Sequence, residues 1–496
     1  MCRPLVTSVS AFTNITQSLV HACTKLCLAI IDDRAILPIA LRRFAGHFFV
    51  RCNGGLTFPR MSHASSLSRR GRRAAGQPLR ADFDLFAEAM ENHYHPDDNP
   101  EGCLPLCIAE NLLNWTEMEA KLRGIATETK TPDWVASYTS ILGAPDFREA
   151  VAGFVGKHIA KCDLAAERFA VSAGATATIE MTAFLLGDPD DVAVIPAPAY
   201  AVYTGDIGNR AGMKRYDFYP TQADHAAPST AAQLSLEDLE RAHAELGDRF
   251  RMLILTTPNN PTGQIYGQEQ LREIADWCID QEIHLLVNEI YALSLVDQSA
   301  PEITDDYVDV PAYSSILPLF VEKDSPYLHW WYSFSKDFGI SGLRVGLIYS
   351  HNTALLQAWG NSGAPSITSN YTQWLLTELL NDHDWVANFQ AKNRQRLTQA
   401  YSTVIATLKQ HRIAYAPAAG SLFVWFDCSR FLSEDSEEAE QALWQSIFGD
   451  TGLLLTAPDG MAAPQRGWFR MVYSGIPQDY LEVAMQRLGK WFESQA

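Results

Sequence analysis

Ser333-Phe334-Ser335-Lys336-Asp337-Phe338-Gly339, with Gly342-Leu343-Arg344-Val345-Gly346 close behind it, is the stretch on which the fold turns. It sets one lysine between two hydroxyls and a glycine turn, with an arginine eight residues on. That grouping suits a phosphate-bearing aldehyde. The lysine forms the imine, while the hydroxyls and the forked guanidinium take the phosphate oxygens. A bare Ser-x-Ser-Lys describes a surface lysine on a polar loop equally well, so the assignment depends on what surrounds it.

Outward from this stretch, short apolar runs alternate with segments of helix length. Val192–Pro196, Met252–Thr257, His284–Val287 and Val345–Tyr349 read as buried strands. Gln268–Asp280 lies between the second and third and carries Leu271, Ile274, Ala275 and Cys278 on one helical face. Strand, helix, strand in this order predicts an α/β fold with a largely parallel sheet. From about Tyr371 a long helical stretch, the strand-like Ser421–Phe426 and the helical Gln478–Phe492 predict a smaller α+β domain. The expected organisation is residues 1–80 as a basic extension, 81–370 as an arm and large domain, and 371–496 as the small domain.

The net charge of -19 is unevenly placed. Residues 1–80 hold 12 Lys and Arg against Asp32 and Asp33 alone, while the rest of the chain is strongly acidic. So acidic a body repels phosphate backbones, and no nucleic-acid partner is expected. No apolar run reaches the ~18 residues of a membrane span, so no membrane partner is expected either. The nine cysteines are scattered and lack a Cys-x-x-Cys pair, which fits reduced thiols, and no metal site is expected.

Residues 1–31 contain no acid and mix Ser and Thr with Arg3, Lys25 and short apolar runs. They read as a transit peptide or, slightly better, as a leader upstream of a true start at Met61. The first alternative goes with a mitochondrial protein and the second with a cytoplasmic one. The run Arg69-Arg70-Gly71-Arg72-Arg73 reads as a nuclear signal or, more often, as solvated arm residues.

Further motifs follow in a fixed order. Asn99-Pro100-x-Gly102 precedes Ala109-Glu110-Asn111, and Gly174-Ala175-Thr176 opens a helix through Leu186. Pro196-Ala197-Pro198-Ala199-Tyr200 and Asn259-Asn260-Pro261-Thr262-Gly263 each follow a strand. Asn288-Glu289-Ile290-Tyr291 ends one, and Gly467-Trp468-Phe469-Arg470 lies near the C-terminus. Each alone is weak: a helix start, a packing tyrosine, a turn, a surface arginine. Together with Ser333–Gly346 they resemble the class I/II aminotransferases, and the Ser-Lys-Asp-x-Gly form is similar to the 1-aminocyclopropane-1-carboxylate (ACC) synthase branch.

The resemblance, which runs from about Tyr94 to Leu488, implies fold type I of the pyridoxal 5'-phosphate (PLP) dependent transferases, with a Schiff base on Lys336. It implies that Gly174, Ala175, Thr176, Ser333, Ser335 and Arg344 hold the phosphate and that Tyr200 stacks on the ring. Asn260 and Tyr291 would share the ring hydroxyl O3′, and Asn288 would face the ring nitrogen N1. Glu110 would stand on the substrate side, and Arg470 would fork the substrate α-carboxylate. Tyr138 would reach the neighbouring subunit's site in a homodimer.

Two departures bear on activity. The family's Asp-Glu-x-Tyr reads Asn288-Glu289-Ile290-Tyr291 here, so a neutral amide replaces the carboxylate that keeps N1 protonated. Glu289 cannot easily substitute, because adjacent strand residues point to opposite faces. The Asp-Tyr-His-Gly stretch of ACC synthases is Ser140-Ile141-Leu142-Gly143 here, which weighs against ACC formation. The leading expectation is an aminotransferase acting on an amino acid or a metabolite derived from one. The alternatives are a C–S β-elimination lyase of secondary metabolism and a PLP-binding pseudoenzyme.

Overall fold

The computed structural model describes residues 66–76, 80, 82–221, 234–307, 310 and 312–495. The leader and transit-peptide expectations fall on residues that lie outside this set. The chain divides into two compact units at Gly76 and Gln77. In the first, Arg69–Ala75 is a helix capped by Ser68, whose Oγ accepts from the Gly71 N–H at 3.1 Å. None of its residues is buried.

The second unit is built on a seven-stranded sheet. Its strands are β2 (Phe169–Ser172), β3 (Val192–Pro196), β4 (Lys214–Phe218), β5 (Phe250–Thr256), β6 (His284–Asn288), β7 (Leu328–Ser333) and β8 (Gly346–Ser350). The order across the sheet is β2-β8-β7-β6-β5-β3-β4. Strands β4, β3, β5, β6 and β7 run parallel, whereas β8 is antiparallel to both β7 and β2. Val192-Ala-Val-Ile-Pro and His284-Leu-Leu-Val-Asn are buried along their whole length. Strands covered on both faces carry such continuous apolar runs rather than alternation.

The largely parallel sheet expected is present, and Val345–Tyr349 supplies its antiparallel member, β8. A parallel return needs a crossover that covers one face of the sheet, usually a helix. Here the connection contains only the short helix Phe334–Asp337 and the turn Ser341–Leu343. It is an arch whose two feet, Ser333 and Gly346, are a cross-strand pair.

One apolar cluster on a face of the sheet gathers Leu285, Val287, Trp330 and Leu347. The other face gathers Ile254, Leu286, Trp331 and Ile348. A second core surrounds the three-stranded sheet of β9 (Tyr415–Ala416), β10 (Phe423–Asp427) and β12 (Trp468–Val472). It also takes in the parallel pair β1 (Leu104–Leu106) and β11 (Leu453–Leu455). Residues from both ends of the unit therefore share this core.

The helix His383–Gln410 links the two cores, placing Val386 and Phe389 in the first and Leu397, Val404 and Leu408 in the second. The predicted helix Gln268–Asp280 is present with those bounds. No helix among the described residues is long and apolar enough to cross a membrane.

Candidate active site

The arch between β7 and β8 carries Lys336 into a cavity of about 210 Å³. The lysine is fixed by its neighbour. Asp337 is buried and accepts from the Ser294 hydroxyl at 2.7 Å, the Leu293 N–H at 3.0 Å and the Tyr332 hydroxyl at 2.9 Å. Asn111 Nδ2 donates to the Lys336 carbonyl at 3.2 Å. The amine itself donates at 2.5 Å to the carbonyl of Ala109. Burial pushes its pKa down to about 8, and the nearby Arg470 charge adds to the shift.

The two serines flanking Phe334 have different places. Ser333 Oγ donates to the Val345 carbonyl at 2.7 Å and bonds Ser335 Oγ at 2.7 Å, so it ties the feet of the arch together. It lies outside the cavity lining, whereas Ser335 is part of that lining. The residue paired to a strand's end points into the sheet, which its position in the sequence does not reveal.

At one end of the cavity the helix Ala175–Leu186 begins, and its first residues Ala175 and Thr176 line the space. A helix start presents unpaired N–H groups and the positive end of the dipole. Gly174 sits just before it with φ 100°, and a Cβ there would overlap the Arg344 guanidinium. Gly346 carries no Cβ for a related reason, since one would strike the Gly174 carbonyl and Thr178 Oγ1. Two glycines therefore let the helix start and the arginine close on one point from two sides. That point is an anion cradle.

The wall opposite holds Tyr200, Tyr203, Thr256 and Asn288. Asn288 Nδ2 donates to the Tyr203 hydroxyl at 3.0 Å, which bonds Thr256 Oγ1 at 2.9 Å. Tyr200 meets Tyr203 edge to face at 5.3 Å. Asn288 shares the sheet face of Leu286, whereas Glu289 turns to the other face, as alternation along a strand demands. There its carboxylate accepts from the Ser315 hydroxyl at 2.6 Å, Trp330 Nε1 at 2.7 Å and the Ile316 N–H at 2.8 Å. It is fully committed away from the cavity.

At the remaining end Arg470 projects from β12. Its Nη1 donates to Asn260 Oδ1 at 2.8 Å, its Nε to Thr456 Oγ1 at 3.0 Å and its Nη2 to the Cys107 carbonyl at 3.1 Å. Burial lowers its pKa to about 10, with the Arg80 charge as the next cause. Its bond to Asn260 Oδ1 leaves the Asn260 amide N–H groups free to face the cavity, beside the buried Tyr291. Glu110 stays outside the lining and accepts from Ser341 Oγ at 3.1 Å. Tyr138 is wholly exposed on this chain and is not part of the cavity.

Tyr203, Asp206 and Arg80 are among the lining residues that no motif announced. Tyr203 is one helical turn past Tyr200, the one signal that could have found it. Asp206 follows a further turn on and is buried, with Oδ2 lacking a hydrogen-bond partner among the described residues. Burial and the negative Glu180 push its pKa up to about 7. Arg80 enters from ahead of the helix Asp82–Glu91, where the sequence shows only an isolated cation.

The cavity therefore offers an enclosed amine, an anion cradle at one end, an aromatic wall and a buried arginine at the other end. These residues fit PLP: the cradle that two missing Cβ atoms open is matched to a phosphate, and the amine lines the same cavity as Arg344 and Arg470. Such a site on a mostly parallel sheet defines a PLP-dependent enzyme of fold type I. The chain belongs to the family of class I and II aminotransferases, whose model matches residues 102–488.

Among its relatives are a 1-aminocyclopropane-1-carboxylate synthase of Glycine max and 1-aminocyclopropane-1-carboxylate synthase 7 of Arabidopsis thaliana. The first is 29% identical over 418 residues, 82% of this chain and 84% of the relative. The second is 28% identical over 426 residues, 81% and 90% of the two. The fold is shared with a Thermus thermophilus aspartate aminotransferase mutant, at a TM-score of 0.68 and 18% identity over 86% of this chain and 99% of the other. The Thermotoga maritima aspartate aminotransferase gives 0.66 and 19% over 86% and 100%.

Proposed function

We propose that this chain is an aminotransferase acting on a small amino acid or a metabolite derived from one. The observation that carries the reading is Lys336 itself, an amine with a lowered pKa that lines one cavity with Arg344 and Arg470. When bound, PLP supplies the carbonyl carbon and the electron sink for negative charge at the substrate Cα. Arg344 and the start of the helix Ala175–Leu186 would hold its phosphate, and Tyr200 would pack against its ring.

Arg470 would orient the substrate by forking its α-carboxylate, and Asn260 and Tyr291 would serve the ring hydroxyl. Lys336 would take the proton from the substrate Cα and return it. Its lowered pKa keeps a usable neutral fraction near neutral pH. Asn288 offers the ring nitrogen an N–H and no charge. The fully exposed Tyr138 fits a homodimer in which that residue completes the partner's site. A cytoplasmic location goes with the same reading.

The names of the sequence relatives favour a second reading, a lyase that starts from the same proton removal. A screen of amino acids against the PLP-loaded protein, followed by product analysis, separates the two. A keto acid with the cofactor left as pyridoxamine phosphate means transfer. Pyruvate, a thiol or ACC with the cofactor returned as aldehyde means elimination. No spectral change with any amino acid would leave the pseudoenzyme.

A further inference from the structure

Arg80 lines the cavity, and the mechanism above gives it no task. One edge of its guanidinium is already held. Nε donates to Asp82 Oδ1 at 2.8 Å, and Nη2 donates to Asp82 Oδ2 and, at 3.1 Å, to the Cys107 carbonyl. Asp82 is fully buried, and the Phe83 ring lies 5.2 Å from the guanidinium carbon. A buried carboxylate on the Nε–Nη2 edge fixes the plane and aim of the group. Nη1, with its two N–H groups, has no hydrogen-bond partner among the described residues.

The second observation is its distance from Arg470. Both arginines donate through Nη2 to the same Cys107 carbonyl oxygen, each at 3.1 Å. The two Nη2 atoms are therefore no farther apart than twice that distance. Like charges this close in an enclosed space repel, and after burial the Arg80 charge is the largest cause of the lowered Arg470 pKa. Asp82 offsets one of the two charges. An anion between or beside the guanidiniums would relieve what is left, and the N–H groups of Arg80 Nη1 remain to donate a charge-assisted hydrogen bond to a carboxylate oxygen.

We propose that the Nη1 edge of Arg80 is a second anion subsite, taking the side-chain carboxylate of a short dicarboxylic amino acid whose α-carboxylate lies on Arg470. The inference rests on Arg470 as the α-carboxylate site. Two guanidiniums that share one carbonyl oxygen favour a short diacid over a long one. A substrate with a cationic side chain, such as a sulfonium or an ammonium, meets like charge at the same place and is disfavoured.

Succinate and butyrate serve as probes, since they share a chain length and differ by one carboxylate. Calorimetric titration of the PLP-loaded protein is expected to show succinate bound at least tenfold more tightly than butyrate. Arg80→Met should bring the two affinities together, and Arg80→Lys should keep part of the preference. Equal affinities in the unmodified protein, or a succinate preference that survives in a folded Arg80→Met, would overturn the subsite. Arg470→Leu tests the footing separately: butyrate binding that persists there removes the α-carboxylate assignment, whereas its loss with an unchanged Arg80→Met preference removes only the second subsite.

Discussion

Asn288 Nδ2 donates to the Tyr203 hydroxyl at 3.0 Å while its Oδ1 accepts from the Ile290 N–H at 3.2 Å. The backbone N–H can be met only by an acceptor, so the amide oxygen is held at the strand end and the NH₂ group is turned towards Tyr203. The side chain presents a donor to the cavity. A donor suits a ring nitrogen with a free lone pair and gives no help to a protonated one. In Asn288→Asp the carboxylate would accept from both Ile290 and Tyr203 and place a charge beside the ring nitrogen. Proton removal from the substrate Cα is expected to quicken about tenfold or more, a change of ~1.4 kcal/mol in the barrier. Stopped-flow half-reactions with Cα-protiated and Cα-deuterated substrate measure it. An equal or slower rate in the aspartate variant would show that the native chemistry runs with an uncharged ring.

Lys336 should set the pH dependence of cofactor capture. The nucleophile is the neutral amine, and its pKa in the folded chain is about 8 rather than the usual 10.5. Below pH 8 the amine is protonated and capture slows; above it capture levels off. The rate of PLP uptake by cofactor-free protein, followed by absorbance from pH 6.5 upward, should therefore turn over near 8. A midpoint near 10.5 would contradict an enclosed amine. Lys336→Ala should still bind PLP but yield no borohydride-reducible link, which mass spectrometry reads directly.

Arg470→Leu should leave PLP bound and weaken amino-acid binding. Removing one partner of a buried charge pair costs about 3–5 kcal/mol, so KM should rise a hundredfold or more. Because Arg470 Nη1 also holds Asn260 Oδ1, a shift in the cofactor spectrum should accompany the change. An unchanged KM would place the carboxylate elsewhere.

Asp206 gives a stability prediction with a definite sign. Its pKa is raised from 3.8 to about 7 in the folded chain. Below pH 3.8 the group is neutral in both states and costs nothing. Between 3.8 and 7 the unfolded chain releases the proton that the folded chain keeps, so stability falls as pH rises, then levels off. Asp206→Asn lacks this loss. Its melting temperature relative to the unmodified protein should rise by a few degrees from pH 4 to pH 8 in scanning calorimetry. A difference independent of pH would mean that Asp206 finds a partner in solution.

Several features of this protein were legible in one dimension because their meaning is local. The arch from Ser333 to Gly346 states its lysine, hydroxyls and arginine within a few residues, and the family, fold type and cofactor followed from it and from the order of the other motifs. The buried strands and the helix Gln268–Asp280 were legible for the same reason, since burial on both faces or on one stripe leaves a period in the sequence. Alternation carried one residue past the end of β6 was enough to send Glu289 away from Asn288.

What the tertiary structure decided was which distant groups meet. The direction of β8 depended on the arch being too compact to cross the sheet, which composition does not record. Ser333 and Ser335 are equivalent in sequence, yet one ties Val345 and the other faces the cavity, because a strand end and the residue two beyond it lie in different frames. Arg80 and Asp206 carry no motif at all. Their roles arise from burial beside Cys107, Arg470 and Tyr203, and burial is a property of the packed chain, since the same side chains in water would each be satisfied and uninformative.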